Sequence, residues 1–535
     1  MSSPSPRRPV ALAARLVALL AVLLAAAPLR ALAGPVQGTS PSPSPPRASA
    51  VAAGARAWRQ AHERAILAEF AAFLALPNVA SDAPGIERNV AVLEAMLRRR
   101  GLDVHVLRND SAPPLVVADL PARLRNARTL AFYAHYDGQP ADTASWRGLP
   151  WTPVLRDAGG RDVPLAGEGP LDPESRLYAR SAGDDKAAIV AMLGALDALH
   201  AAKRAPAFHL RLVFEGEEEA GSPHLASYLA HDSLLLRPDA WLICDGPVHQ
   251  SGRMELGFGA RGTTSLDLTV YGPVKGLHDG HYGNWVPNPI ARLTNLLASM
   301  RDDDGGIRIP NFMDDVLLPS DAERAAVAAV PDVELALRAE FQIAEPEAGG
   351  EPLNARLMRP ALNLRGIASG AVGERATNTI PTEARASVDF RLVPAETPES
   401  VRGKVERHLE SLGWTIVTST PDSATRVAHD RLVKLAWGAG YPPARTPLEL
   451  PLAAEILGVL RAFGHEPVRL PTLGGSVPMY LFQGTRRTPA IILPIANHDD
   501  AQHAPNENLR LQNLWDGIEV YAAVMTRVGA LWDAK

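Results

Sequence analysis

Four short apolar runs in this chain end directly in acids or histidines, and that pattern constrains the fold more than any other feature. TLAFYA runs into His135-Tyr136-Asp137-Gly138, RLVF into Glu215-Gly216-Glu217-Glu218-Glu219, and WLIC into Asp245-Gly246. AIILPIA runs into Asn497-His498-Asp499-Asp500, with His503 just beyond. Continuous apolar runs that alternate with helical periodicity predict strands buried on both faces of a mostly parallel sheet. Ligands of such sheets bind outside the carboxyl ends of the strands. Four strands therefore offer carboxylates or imidazoles to what could be one edge. Asp184-Asp185, opening the helical segment KAAIVAMLGALDAL, make a fifth contribution.

Taken singly, these residues have ordinary explanations. An Asp pair can cap a helix, a run of Glu can be a solvated loop, and Asp-Gly can be a turn. Recurrence at four strand ends is not covered by any of them. Crowded carboxylates repel one another unless a cation neutralises them, and a metal site resolves that conflict. Composition narrows the donors. Cys244 is the only cysteine in 535 residues, which excludes a disulfide framework and a thiolate zinc cluster. Any metal must be held by some of the 15 histidines and 59 acids. Nitrogen and oxygen donors fit zinc, with manganese or cobalt as alternatives. The formal charge of −5 gives no sign of a nucleic-acid partner.

At the N-terminus, Arg7 and Arg8 precede an apolar run from Leu16 to Leu29, followed by Ala31-Leu32-Ala33. This is the layout of a secretory signal, and the run falls short of the roughly 20 residues of a membrane span. Residues 1–33 are expected to be a cleaved signal peptide, giving a secreted or periplasmic protein with no membrane association afterwards. Residues 34–53, rich in Pro and Ser, read as a flexible linker. The α/β pattern fills 54–255 and resumes over 431–535. Between them, TTSLDLTVYG and ARASVDFRLV alternate apolar and polar residues, as strands with one covered face do. The expected fold is an α/β catalytic domain with a mostly parallel sheet, interrupted at 256–430 by an inserted α+β lid or dimerisation domain.

The segments AHYDGQP, LYARSAGDDKA, EGEEEAGS, ICDG, GLHDGHYG, NTIP, FRLVP, GGSVP and QHAPNENL occur in an order that resembles a known family. They resemble the di-zinc metallopeptidases that include carnosinase-type dipeptidases, carboxypeptidase G, aminoacylase and succinyl-diaminopimelate desuccinylase. The likeness covers nearly all of the chain after the signal, and GLHDGHYG with the long insertion points to the dipeptidase branch. The resemblance implies two zinc ions per subunit, bridged by Asp184. His135 and Asp245 would complete one site, Glu219 and His503 the other. Asp137 would orient His135, and Glu218 would be the general base, an assignment that depends on the register among Glu217, Glu218 and Glu219. His278 would reach the partner subunit's site in a homodimer and stabilise the oxyanion. Asn378 and Arg391 would contact substrate, Arg391 gripping a terminal carboxylate, and Gly475 and Ser476 could present backbone N–H groups.

Two departures stand out. Ala179, Ser181 and Ala187 occupy places that are usually glycine in that family. Leu473 stands where carnosinase-type enzymes carry a Glu that pairs with the substrate amine. The expected activity is hydrolysis of dipeptides or short peptides. The alternative is removal of an acyl group from an N-acyl amino acid, which Leu473 would suit. A degenerate, non-catalytic homologue is a third reading, opposed by the complete acid and histidine set.

Overall fold

The computed structural model describes residues 48–529, apart from 110–111, 124–126, 232–234, 465, 476 and 485. The expected signal peptide and most of the expected linker lie outside the described residues. The end of that linker is a correction, because a helix already runs from Ala48 to Leu74. Its first turns are alanine-rich and bury Val51, Ala52 and Ala55, so helix propensity and docking outweigh the Pro/Ser character of the preceding residues.

Eight strands make the main sheet, in the order 103–107, 115–120, 209–215, 129–135, 240–243, 490–492, 255–257 and 468–470. Its centre consists of His209–Glu215, Thr129–His135, Ala240–Ile243 and Ala490–Ile492, adjacent and mutually parallel. These are the four strands that run into acids and histidines, so all four deliver them to one edge. Register pairs His135 with Glu215 and Tyr133 with Ile243, which sets His135 and Asp245 level. Leu130 to Ala134 are fully buried, as a strand covered on both faces requires. Helices Ala48–Leu74, Lys186–Ala201 and Leu511–Arg527 pack together in the core on one face. On the other, Tyr133, Trp241 and Ile492 meet Leu225, Met479 and Phe482. Cys244 is buried immediately before Asp245, and burial pushes its thiol well above the ordinary range. No helix among the described residues is long and apolar enough to cross a membrane.

The chain leaves this sheet at Gly259–Ala260 and returns at Ala444–Arg445, two short strands paired with each other. Between them lies a five-stranded sheet in the order 361–368, 383–392, 262–271, 432–437 and 415–417. Gly262–Tyr271 and Glu383–Leu392 pair antiparallel along their whole length. Leu266, Leu268, Val388 and Phe390 point to a separate core, closed by Leu293, Met300, Val405 and Leu409 of helices Pro289–Met300 and Pro398–Ser411. The ends of this inserted unit differ from the expected 256 and 430. Glu255–Gly257 still belongs to the main sheet, and Leu432–Trp437 to the second. ELGFGARGTTSLDL reads as one strand-forming run, so composition does not mark the crossing. The edge strand Ala361–Ala368 is exposed over most of its length, Leu364 and Ile367 included.

Glu255 is buried in the main sheet, and burial raises its carboxyl from 4.5 to about 8. The folded state then holds a proton that the unfolded chain releases, so stability falls as pH rises from the lower value to the higher. Glu255→Gln keeps the neutral shape. It is expected to gain stability over the parent between about pH 5 and 8, by up to about 1.4 kcal/mol per pH unit, and to gain nothing further above that. Urea unfolding across this range checks the sign.

Candidate metal centre

A small sheet beside the main one brings two loops together. Arg176–Tyr178 pairs antiparallel with Asn508–Arg510, which sets the segment 179–185 against the loop 497–507. Asp184 Oδ1 then lies 2.9 Å from His135 Nε2, and Asp184 Oδ2 lies 3.1 Å from His503 Nε2. His503 Nε2 is also 3.0 Å from Glu219 Oε2, and His135 Nε2 is 4.0 Å from Asp245 Oδ1. Two donor groups result, His135 with Glu218 and Asp245, and Asp184 with Glu219 and His503, each with its donor atoms within 4.8 Å of one another. One oxygen of Asp184 faces each group, the disposition of a bridging carboxylate. Donors on a tetrahedral zinc ion stand about 3.3 Å apart for bonds of about 2.0 Å, and these separations bracket that value. The register of the Glu run is also resolved. Glu217 turns away to His224, whose Nδ1 is 2.8 Å from its Oε2, leaving Glu218 and Glu219 at the centre.

Other side chains fix these donors. Asp137 lies 3.3 Å from His135 Nδ1 and accepts the backbone N–H groups of Glu218 and Glu219, each at 3.1 Å. One carboxylate therefore orients an imidazole and the turn that carries both glutamates. Gln139 Nε2 donates to Glu219 Oε2 at 2.8 Å, and Gln502 Nε2 to Asp184 Oδ2 at 2.7 Å. Asp185 makes no capping bond to the helix it precedes; it accepts the backbone N–H of His135 at 3.2 Å. Lys186, fully buried, donates to Phe73 O at 2.9 Å and Asn89 Oδ1 at 2.7 Å, pinning the start of its helix.

Glu507 holds the Asp184 loop. Its carboxylate, fully buried, accepts the backbone N–H groups of Ser181, Gly183 and Asp184 at 3.0 Å and Arg180 Nη1 at 2.7 Å. The loops approach closely at two glycines, where any larger residue would push a neighbouring side chain aside. A Cβ at Gly138 would stand 2.2 Å from Ser181 Oγ, and one at Gly183 would stand 2.7 Å from Asp500 Oδ2.

The charges explain what the site fits. Among the described residues, the ion-pair partners of Asp184, Glu219 and Asp245 are imidazoles alone. Burial pushes Asp245 up to about 7, Asp184 and Glu219 adding to the rise. Burial likewise drives Glu218 well above the usual carboxylate range, against the pull of His135. Burial acts on Asp184 too, but hydrogen bonds from His135, His503 and Gln502 overcome it and hold it below that range. His503, bonded to Asp184 and Glu219, is raised to about 10. The imidazoles thus carry the positive charge that the carboxylates demand. Metal cations would supply that charge and free both rings to act as neutral ligands, so the donor set fits two ions.

Comparison with known proteins agrees. The sequence pattern described as peptidase family M20/M25/M40 matches residues 131–527. The chain belongs to that family. Similar curated members include the Cys-Gly metallodipeptidase of Schizosaccharomyces pombe, 24% identical over 85% of this chain and 91% of the relative. The human Beta-Ala-His dipeptidase is 27% identical over 78% of each chain. The solved structure of human carnosine dipeptidase 1 shares the fold with a TM-score of 0.69, at 23% identity over 90% of this chain and 99% of that one.

In this M20/M25/M40 chain, the structure brings together the five expected ligands, Glu218 and Asp137. The other expected site residues lie outside both donor groups. His278 sits on a turn of the inserted unit with its side chain 55% exposed, and its Nδ1 accepts the Gly280 N–H at 3.1 Å. Asn378 is exposed, and its carbonyl accepts the Asp279 N–H at 3.1 Å. Arg391, on the second sheet, donates from Nε to Asp389 Oδ2 at 2.8 Å. Gly475 is exposed, and Ser476 lies outside the described residues. Glu507, Gln139 and Gln502 went unassigned in the sequence reading, although all three stand in motifs that marked the site.

Glu507→Ala would strand Arg180 and three backbone N–H groups in the interior. The expected cost is about 3–5 kcal/mol of stability, as for other broken buried pairs, together with a lower metal content per folded chain. Denaturant unfolding and metal analysis of the same preparation measure both.

Proposed function

We propose that this chain is a secreted or periplasmic zinc dipeptidase, acting as a homodimer on dipeptides or short peptides with a free carboxylate end. The observation that carries the reading is Asp184 placed between two nitrogen and oxygen donor groups, with Glu218 alongside. His135, Asp184 and Asp245 would hold one ion, and Asp184, Glu219 and His503 the other. When bound, such ions supply a water of lowered pKa and a Lewis-acid pull on the scissile carbonyl.

The chain's own residues do the rest. Glu218 takes a proton from the attacking water and returns it to the leaving amine. Asp137, through the backbone N–H groups of Glu218 and Glu219, keeps that base in place. Arg391 grips the terminal carboxylate with its guanidinium fork. His278, reaching in from a second copy, donates to the oxyanion. Its exposed position supports a role completed by another subunit. The uncovered edge strand Ala361–Ala368, with exposed Leu364 and Ile367, supports pairing through the second sheet. The names of the relatives favour a dipeptide over an N-acyl amino acid.

Protein purified without chelator is expected to contain close to two metal ions per chain, and a metal-free preparation that turns over dipeptides would sink the reading. Glu218→Gln should abolish turnover with metal retained. His278→Ala should raise the barrier by about 2.7–4 kcal/mol with unchanged metal content, and sedimentation should give the mass of a dimer. N-terminal sequencing of the exported protein should begin at Gly34.

A further inference from the structure

A cleft of about 190 Å³ opens at the metal centre, lined by Glu218, Glu219 and His503 together with Gln139, Gly221, Tyr441, Pro478 and Tyr480. The two tyrosine rings stack 5.1 Å apart and within 8° of parallel. Their supports come from distant parts of the chain. Tyr480 belongs to the short helix Met479–Gln483, whose Met479 and Phe482 are buried. Phe482 packs 4.6 Å from Tyr133 and 4.7 Å from Trp241, ring centre to ring centre. Tyr441 lies on the segment returning from the second sheet. Its N–H donates to Thr263 O at 2.9 Å, and the Thr263 N–H donates to its carbonyl at 3.1 Å. Both rings are half-buried and fixed from behind.

Away from the acids and His503, the cleft's lining is dominated by two flat rings and a proline. The lining includes no lysine or arginine, and its two acids are the ones at the metal centre. Leu473, which packs over Gly257 and joins the same apolar cluster as Val477 and Tyr480, adds no carboxylate. Arg391, the cation assigned above to the substrate carboxylate, stands on the second sheet. A dipeptide held there and spanning the metal centre lays its other end against the main-sheet side, where Tyr480 stands.

We propose that this cleft is the subsite for the amino-side residue and that Tyr480, backed by Tyr441, selects an aromatic or large apolar side chain there. The proposal rests on the peptidase reading above and deepens it by naming the substrate class. A ring stacked on a fixed ring gains interaction beyond simple burial, and a larger apolar side chain also removes more surface from water.

The test uses the full-length, metal-loaded chain and two dipeptide series, X-Ala and Ala-X, with X as Gly, Ala, Leu, Phe or Tyr. kcat/KM is expected to rise about tenfold or more from Ala-Ala to Phe-Ala, and to change little along Ala-X. Tyr480→Ser should cut the Phe-Ala to Ala-Ala ratio by about three- to tenfold, mainly through KM, at unchanged metal content. Tyr480→Phe should keep the ratio. Binding of free phenylalanine, measured by calorimetry, should weaken in Tyr480→Ser and survive in Tyr480→Phe. A flat X-Ala profile, or a preference confined to Ala-X, overturns the subsite and leaves the peptidase reading standing. If no dipeptide is turned over, the peptidase reading fails. The calorimetry then decides the cleft by itself, and equal phenylalanine binding by parent and Tyr480→Ser overturns it.

Discussion

Asp184, Glu219 and Asp245 are taken out of water with imidazoles as their ion-pair partners among the described residues, and much of the surrounding architecture answers that imbalance. Carboxylates this close repel one another strongly in a medium less polarisable than water. Two neighbouring acids tie the loops of the site together through backbone hydrogen bonds. Asp137 accepts two backbone N–H groups and Glu507 three; these bonds pull both carboxyls down, but burial outweighs them, and Glu507 is raised to about 7. The ligands themselves are met by imidazoles rather than by lysine or arginine among the described residues. Filling the site with cations would therefore stabilise the fold as well as equip it.

The loop that carries His503 shows how closely the site is specified. Ala501, His503 and Asn506 adopt left-handed conformations, with φ of 58°, 61° and 64°. For residues with a Cβ this backbone is costly and persists only where the surroundings impose it. Here they do. Asn506 Oδ1 accepts the Arg147 N–H at 2.8 Å, the Asn508 N–H bonds to Asp500 O at 2.8 Å, and Glu507 is locked into the Asp184 loop. A short strand, Asn508–Arg510, then carries the chain into its last long helix. The histidine is thus placed by a loop tied at several points.

What could be read from the sequence divides along physical lines. The central strands and their terminal acids were legible because a strand buried on both faces leaves a continuous apolar run, and polar residues reappear only where it ends. Asp184 was legible as part of the site, yet Asp185, which looked like a helix cap, instead accepts a bond from the backbone of His135. Glu507 was not legible. In a polar run such as QHAPNENL an acid looks solvated, and only the pairing of Arg176–Tyr178 with Asn508–Arg510 buries it. Tyr441 and Tyr480 were invisible for a related reason, since tertiary structure alone stacks two rings from separate segments. The early start of the first helix was masked by its Pro/Ser neighbours, although alanines that could dock on the core were present in the sequence.

Cys244 has a consequence outside catalysis. The thiol is fully buried on the strand that leads to Asp245, and burial disfavours the thiolate on which oxidation and disulfide exchange depend. With no second cysteine in the chain, no intramolecular cross-link can form, correct or otherwise. Folding of this chain therefore involves no disulfide formation or rearrangement within it. The redox state of the surroundings thus does not decide the covalent connectivity of this fold.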